Sequence, residues 1–94
     1  MDDGRKNGEI IAIRAVEWMA ADADELHKFM QTSGESLESL RSRLNDPEFL
    51  AAVLDYVLAS EKCLLAFCES AALPPDAPQK ARHFLPGGDI PHWT

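Results

Sequence analysis

Residues 46–75 are compatible with little other than two consecutive helices. Asp46 can cap a helix, Pro47 fills the first helical position where its missing N–H does no harm, and Glu48 suits the positive helix end. An apolar stripe at helical spacing follows, made of Leu50, Val53, Leu54, Val57 and Leu58. The next helix contains six consecutive apolar residues, CLLAFC, and a helix that is apolar all round is typical of the middle of a bundle. We therefore expect the helices 47–59 and 61–72 to form the centre of the domain.

Similar start and stop signals divide the rest of the chain into short helices. Asn7, Asp22, Ser36 and Ser60 can each cap a helix, Glu25 follows Asp22 as in a capping box, and Gly34 can end one. The remaining helices are predicted over 8–20, 23–33, 37–44 and 76–84, with Pro78 tolerated in the first turn of the last one. Short connections make consecutive helices neighbours. We predict an all-α fold, a compact bundle of five or six short helices. It forms a single domain over 7–94 after a disordered segment 1–6.

The composition is that of a soluble globular chain with room for one domain. Hydrophobic residues make up 46% and charged residues 27% of the 94 residues. No apolar run approaches the roughly 20 residues of a membrane-spanning helix, and the first ten residues lack the apolar core of a signal peptide. The net charge of −7 disfavours nucleic-acid binding, because an acidic chain repels phosphate backbones. We therefore predict neither a membrane nor a nucleic-acid partner.

The two cysteines indicate a reducing compartment. Cys63 and Cys68 are five residues apart on a predicted helix, which places them about 140° apart around its axis. A disulfide at that spacing would break the helix. Free cysteines among apolar residues suit the cytoplasm, so we predict a cytoplasmic protein.

The last ten residues, LPGGDIPHWT, are predicted to be an ordered tail without helix. Pro86 and Pro91 lack the N–H that helices and central strands need. Yet the segment carries Ile90, His92 and Trp93, whereas frayed termini are usually polar. We expect Trp93 to fold back and anchor the tail on the bundle, and its contact with a partner protein is the second interpretation.

The first helix has more apolar residues than one buried stripe requires. They are Ile10, Ile11, Ile13, Val16, Trp18 and Met19, and they span well over half of the circumference. The excess arc could face the tail or another chain, or the helix could simply be central in the monomer. We take Ile11, Trp18 and Met19, together with Ile90, His92 and Trp93, as candidate contacts with a protein partner or as tail anchors. The partner could be a second copy.

Catalytic and metal-binding patterns are not found in the sequence. No zinc-protease, nucleophile-elbow or phosphate-loop motif is present. The alternative is a small thiol- or metal-dependent enzyme that uses Cys68, His83 and His92. However, Cys68 lies among apolar residues, and the spacing of His83, Asp89 and His92 fits no standard zinc site. We predict no catalytic residue, cofactor or metal.

A helix-turn-helix arrangement of the helices 37–44 and 47–59 is a less favoured alternative. Residues 35–48 carry a net charge of −2, with Arg41 and Arg43 as the cations, and the second helix has no basic residue. In that helix Asp55 interrupts the apolar stripe. We expect Asp55 to face solvent, and a hydrogen bond to a facing group is the alternative.

The chain resembles domain-of-unknown-function family 3572, a group of uncharacterised small helical proteins from alphaproteobacteria. The resemblance rests on DPEFL at 46–50, AVLD at 52–55, LLAFC at 64–68, LPP at 73–75, LPGG at 85–88 and PHW at 91–93. It implies a helical cytosolic protein and transfers no catalytic residue. Members are often encoded near bacterial signalling genes, so the resemblance also implies a signalling protein as a partner.

Overall fold

Six helices make up the part of the chain that the structure describes. The structure is a computed structural model that describes residues 2–85, with side chains from residue 6 onward. The helices are α1 (Asp2–Ala20), α2 (Ala23–Ser33), α3 (Leu37–Ser42), α4 (Pro47–Leu58), α5 (Glu61–Ala71) and α6 (Ala77–His83). These residues include no strand. The radius of gyration is 12.7 Å, close to the roughly 12 Å of a compact chain of this length. The predicted all-α bundle is therefore confirmed, and none of the described helices is long and apolar enough to cross a membrane.

Most helices begin at the capping residues that the local sequence indicates. Four side chains each accept a hydrogen bond from a backbone N–H two or three residues later, at 3.0 to 3.3 Å, and they belong to Asp22, Ser36, Asp46 and Ser60. Gly34 ends α2 in the left-handed conformation, with φ 77°. Ala72 ends α5 in the same conformation, with φ 57°, although it has a Cβ. The predicted ends thus hold to within one or two residues.

The N-terminal start is the exception. α1 begins at Asp2, so the prediction that Asn7 caps a helix from Gly8 is wrong. Residues 2–6, for which disorder was predicted, belong to the helix. Asn7 instead lies exposed on its surface. At the other end Leu85 is buried, whereas Ile90, His92 and Trp93 lie outside the described residues. The predicted ordered tail therefore stays a prediction.

The centre of the bundle is α1 with α4, not the predicted pair of α4 and α5. Val53, Leu54 and Val57 on α4 are fully buried, as expected. On α5, however, the apolar run is not buried all round, because Leu65 is 47% exposed. α1 packs against α2, α4, α5 and α6, and its core face consists largely of Ala12, Ala15, Val16 and Met19. Small side chains on that face let several helices approach α1 closely.

The contact of α6 with α1 and α4 depends on one glycine and one ion pair. A Cβ at Gly8 would lie 2.8 Å from the carbonyl oxygen of Ala81, so only glycine permits this approach of α1 to α6. Arg82 donates hydrogen bonds of 2.7 and 3.2 Å to the carboxylate of Asp55. Asp55 is thus bonded to a facing helix although its side chain is 59% exposed. Pro78 is buried at the start of α6 and leaves the helix intact.

Candidate functional site

The predicted contact residues on α1 have different surroundings. Met19 is fully buried and Ile11 is 7% exposed, so both belong to the core. Trp18 is half-buried, and its ring centroid lies 5.7 Å from that of Phe67 on α5. The excess apolar arc of α1 is therefore largely used inside the domain. Ile10, which is 50% exposed, is the large apolar side chain that α1 leaves at the surface.

Two surface depressions lie beside one stripe of α1, and we call them together the α1 groove. Asn7, Ile11, Arg14 and Trp18 recur at helical spacing on this side of the helix. Near Asn7 and Ile11 the groove forms a depression of about 160 Å³ against Pro74 and α6. Near Trp18 it forms a second depression of about 340 Å³ against the end of α5. Apolar side chains line much of the two depressions, namely Ile11, Trp18, Phe67, Ala71, Ala72, Pro74, Ala77, Ala81 and Phe84. Polar and charged side chains complete the lining, namely Asn7, Arg14, Glu17, Ser70, Asp76 and Lys80.

A second cavity lies between α2, α4 and α5, and we call it the Glu25 pocket. Its volume is about 420 Å³. Its lining consists of Glu25, Lys28 and Thr32 from α2, Tyr56 from α4, Ala59 and Ser60 from the connection, and Lys62, Cys63 and Ala66 from α5. Charged and hydroxyl-bearing side chains from three helices therefore line this pocket.

One carboxylate joins the three helices at the base of the Glu25 pocket. The hydroxyl of Tyr56 donates a hydrogen bond of 2.8 Å to Oε2 of Glu25. The thiol of Cys63 donates to the same oxygen across 3.8 Å. The ring of Phe29 meets that of Tyr56 edge-on, with centroids 5.3 Å apart, and so holds the phenol in place. Sequence reasoning missed this cluster, since it assigned Glu25 a capping role at the start of its own helix.

The cluster holds its two weak acids in the protonated form. Burial, reinforced by the hydrogen bond to Glu25, raises the pKa of Tyr56 well above its ordinary value of 10.0. Burial first, and then the charge of Glu25, raise the pKa of Cys63 to about 11, although Lys28 counteracts part of the shift. A thiol nucleophile needs a lowered pKa to form thiolate near neutral pH. The Cys63 thiol is therefore a hydrogen-bond donor in this arrangement.

Of the residues in the predicted thiol- or metal-dependent alternative, Cys68 and His83 lie in the described part of the chain. Cys68 is buried, and burial followed by the charge of Asp76 raises its pKa. His83 is exposed, and His92 lies outside the described residues. Both cysteines are free, as predicted. Within residues 2–85 no three His, Cys, Asp or Glu side chains stand close enough together to hold a metal ion.

Comparison with known proteins places the chain in a family. The sequence model of the family described as "Protein of unknown function (DUF3572)" matches residues 5–88, which is most of the chain. The chain belongs to this family. The match confirms the resemblance seen in the sequence, and the family description assigns no reaction. No curated protein and no solved structure shows significant similarity to the chain.

In this family member, Arg43, which directly follows α3, bonds side chains of its own domain. Arg43 bonds Glu35 at 2.6 Å and Asp46 at 3.1 Å. Its guanidinium also lies 5.2 Å from the ring centroid of Phe49. The hydrogen bond from Arg43, followed by that from the Glu48 backbone N–H, lowers the pKa of Asp46. The charge of Arg43 is thus balanced by two carboxylates of its own domain.

Proposed function

We propose that this protein is a non-enzymatic cytoplasmic domain that acts by binding another protein. The observation that carries the proposal is the α1 groove, two surface depressions whose lining includes the aromatic side chains of Trp18, Phe67 and Phe84. Large apolar side chains are the usual anchors of protein interfaces. The protonated state of Cys63 supports a role without thiol chemistry. The internal engagement of Arg43 and the net charge of −7 support a partner other than nucleic acid.

For the groove we propose one occupant, the side chain of Trp93 in the chain's own C-terminal segment. The described residues end at Leu85, next to Phe84, which lines the groove. Trp93 follows Leu85 by eight residues, and such a segment reaches up to about 26 Å when extended. The stripe from Asn7 to Trp18 is about 16 Å long. The segment is therefore long enough to bring Trp93 to either depression.

In this proposal the partner protein binds the surface that the tail and α1 form together. Ile10 and Phe84, 50% and 53% exposed, supply apolar surface near the groove. A second copy of the chain and a bacterial signalling protein are the two partners to test first. The resemblance noted above suggests the signalling protein, and the exposed apolar side chains suit either.

The test is affinity purification of the full chain from its native host with three variants. Phe84→Ala shortens a groove side chain, Trp93→Ala removes the proposed anchor, and Leu37→Ala is the matched control. Leu37 is 47% exposed, but it lies on α3 and does not line the groove. We expect Phe84→Ala and Trp93→Ala to lose a partner that Leu37→Ala retains, with all three folded by circular dichroism.

Two results would contradict the proposal. If all three variants retain the partner equally, the α1 groove is not part of the interface. Stoichiometric zinc or iron in protein purified without added metal would favour the metal-dependent alternative. Sedimentation of the purified chain separates a second copy from a different partner, because only a homodimer changes its mass with the concentration of this chain alone.

A further inference from the structure

The Glu25 pocket contains charges of both signs that do not neutralise each other. Glu25 and Lys28 are three residues apart on α2, a spacing at which ion pairs commonly form. Within residues 2–85, however, neither Lys28 nor Lys62 forms an ion pair, with Glu25 or with another acid. One carboxylate and two ammonium groups therefore line the same cavity with their charges available to a ligand.

The carboxylate is held in place as an acceptor. Tyr56 and Cys63 both donate to Oε2, while Oε1 accepts no hydrogen bond from the described residues. The two donors come from different helices, so they restrict the rotamer of Glu25 before any ligand arrives. A group held in its binding conformation loses less entropy when the ligand binds. Oε1 is thus a preorganised acceptor for a cationic N–H donor.

The ammonium groups of the two lysines favour an anion in the same cavity. Lys28 is on α2 and Lys62 on α5, and both side chains are exposed at the margin of the pocket. The hydroxyl of Thr32 adds a donor beside Lys28. Together with Glu25 the lysines give the lining a net charge of +1. A ligand of complementary charge has one cationic end and an anionic end of charge −2.

We propose that the Glu25 pocket binds a small soluble molecule with a primary ammonium group at one end and a phosphate monoester at the other. The ammonium donates to Oε1 of Glu25, and the phosphate lies between Lys28 and Lys62. The volume of about 420 Å³ is within the usual range for small-molecule pockets, roughly 300–1,000 Å³. This site is separate from the α1 groove, so it stands or falls independently of the proposed protein partner.

The experiment is calorimetric titration of the full chain with O-phosphoethanolamine as the probe. Inorganic phosphate and ethylamine are the two single-ended probes. We expect saturable one-to-one binding of the two-ended probe, with an affinity at least about tenfold above that of either single-ended probe, since each charged hydrogen bond contributes a factor of that order.

Variants locate the two ends of the ligand. Glu25→Gln keeps the size and shape of the side chain but removes its charge and replaces one acceptor oxygen by an NH2 donor, and we expect it to weaken binding about tenfold or more. Lys62→Gln is expected to weaken the binding of O-phosphoethanolamine and of inorganic phosphate alike. Glu38→Gln and Lys6→Gln remove the same charges at exposed positions outside the pocket and are the matched controls.

Several outcomes would overturn the proposal. They are the absence of saturable binding, inorganic phosphate binding as tightly as O-phosphoethanolamine, and equal weakening by Lys62→Gln and Lys6→Gln. If Glu25→Gln does not fold, the comparison of probes and the two lysine variants still decides the matter. A further arm uses phosphatidylethanolamine vesicles, and binding of the vesicles without binding of the free compound would also overturn it.

Discussion

The same substitution, alanine to glycine, is expected to have opposite effects at two exposed positions of this protein. Ala72 ends α5 with φ 57° and ψ 44°, in the left-handed region. Ala52 lies in the middle of α4, with its side chain exposed. Neither substitution removes a buried contact, so the backbone conformation decides the sign of each effect.

The magnitudes follow from the two conformations. An L-residue in the left-handed region costs roughly 1–2 kcal/mol, and Ala72→Gly removes that strain. Glycine also increases the entropy of the unfolded chain, and this effect cancels about 0.4–1 kcal/mol of the stabilisation gained by relieving the strain. The net expectation for Ala72→Gly is a stabilisation of about 0.5–1 kcal/mol. Ala52→Gly is expected to destabilise the protein by about 1 kcal/mol, because glycine is a poor helix former.

Urea and thermal denaturation followed by circular dichroism measure both effects. The two variants are expected to differ by about 1.5–2 kcal/mol in the free energy of unfolding. For a domain of this size each kcal/mol shifts Tm by roughly 4–8 °C. If Ala72→Gly destabilises the protein as much as Ala52→Gly does, Ala72 does not have the left-handed conformation, and the turn that leads into α6 differs from the one described here.

Three further predictions concern the helix contacts and the Glu25 pocket. Gly8→Ala is expected to lower the free energy of unfolding by about 1 kcal/mol, since overpacking of roughly 1–3 kcal/mol outweighs the helix-propensity gain of about 1 kcal/mol. The added Cβ would meet the Ala81 carbonyl oxygen at 2.8 Å, and a net stabilisation in urea denaturation would contradict this close approach. Cys63, with a pKa of about 11 against an ordinary value of 9.0, is expected to react with a thiol reagent at pH 8 about 100-fold more slowly in the folded than in the urea-unfolded chain. Because folding raises the pKa of Cys63, the contribution of this thiol to stability is complete below pH 9 and is lost between pH 9 and about 11. A Cys63→Ala variant whose free energy of unfolding changes with pH above 9 in the same way as that of the parent would refute this. Tyr56→Phe is expected to cost about 1.5 kcal/mol by removing the 2.8 Å bond to Glu25, and an equal cost in a Glu25→Ala background, which has no acceptor for the hydroxyl, would show in a double-mutant cycle that the bond is not responsible.

The candidate sites were partly accessible from the sequence. The excess apolar residues of α1 directed attention to the arc on which Trp18 lies, and whether that arc contacts a partner stays a prediction. The same reasoning could not separate Met19, which is fully buried, from Ile10, which is 50% exposed. Both lie on the apolar arc, and only the positions of the neighbouring helices decide which side of that arc is covered. The Glu25 pocket has no local sequence signal.

The sequence by itself determined the order and approximate ends of the helices after the first, while it left their number open between five and six. Caps such as Asp46 and Ser60, and stops such as Gly34, act within three or four residues, so their effect is readable locally. The early start of α1 was missed because no cap residue marks it.

Only the tertiary structure decided which helix is central and which polar side chains form hydrogen bonds with one another. Glu25 and Tyr56 are 31 residues apart, and Asp55 and Arg82 are 27 apart. Pairs at such separations depend on how helices dock, and docking depends on close approaches such as that of Gly8 to α6. Helical periodicity specifies that a face is apolar, but it does not specify which neighbour covers that face. For that reason α5 leaves Leu65 exposed at the surface despite its run of six consecutive apolar residues, while α1 occupies the centre.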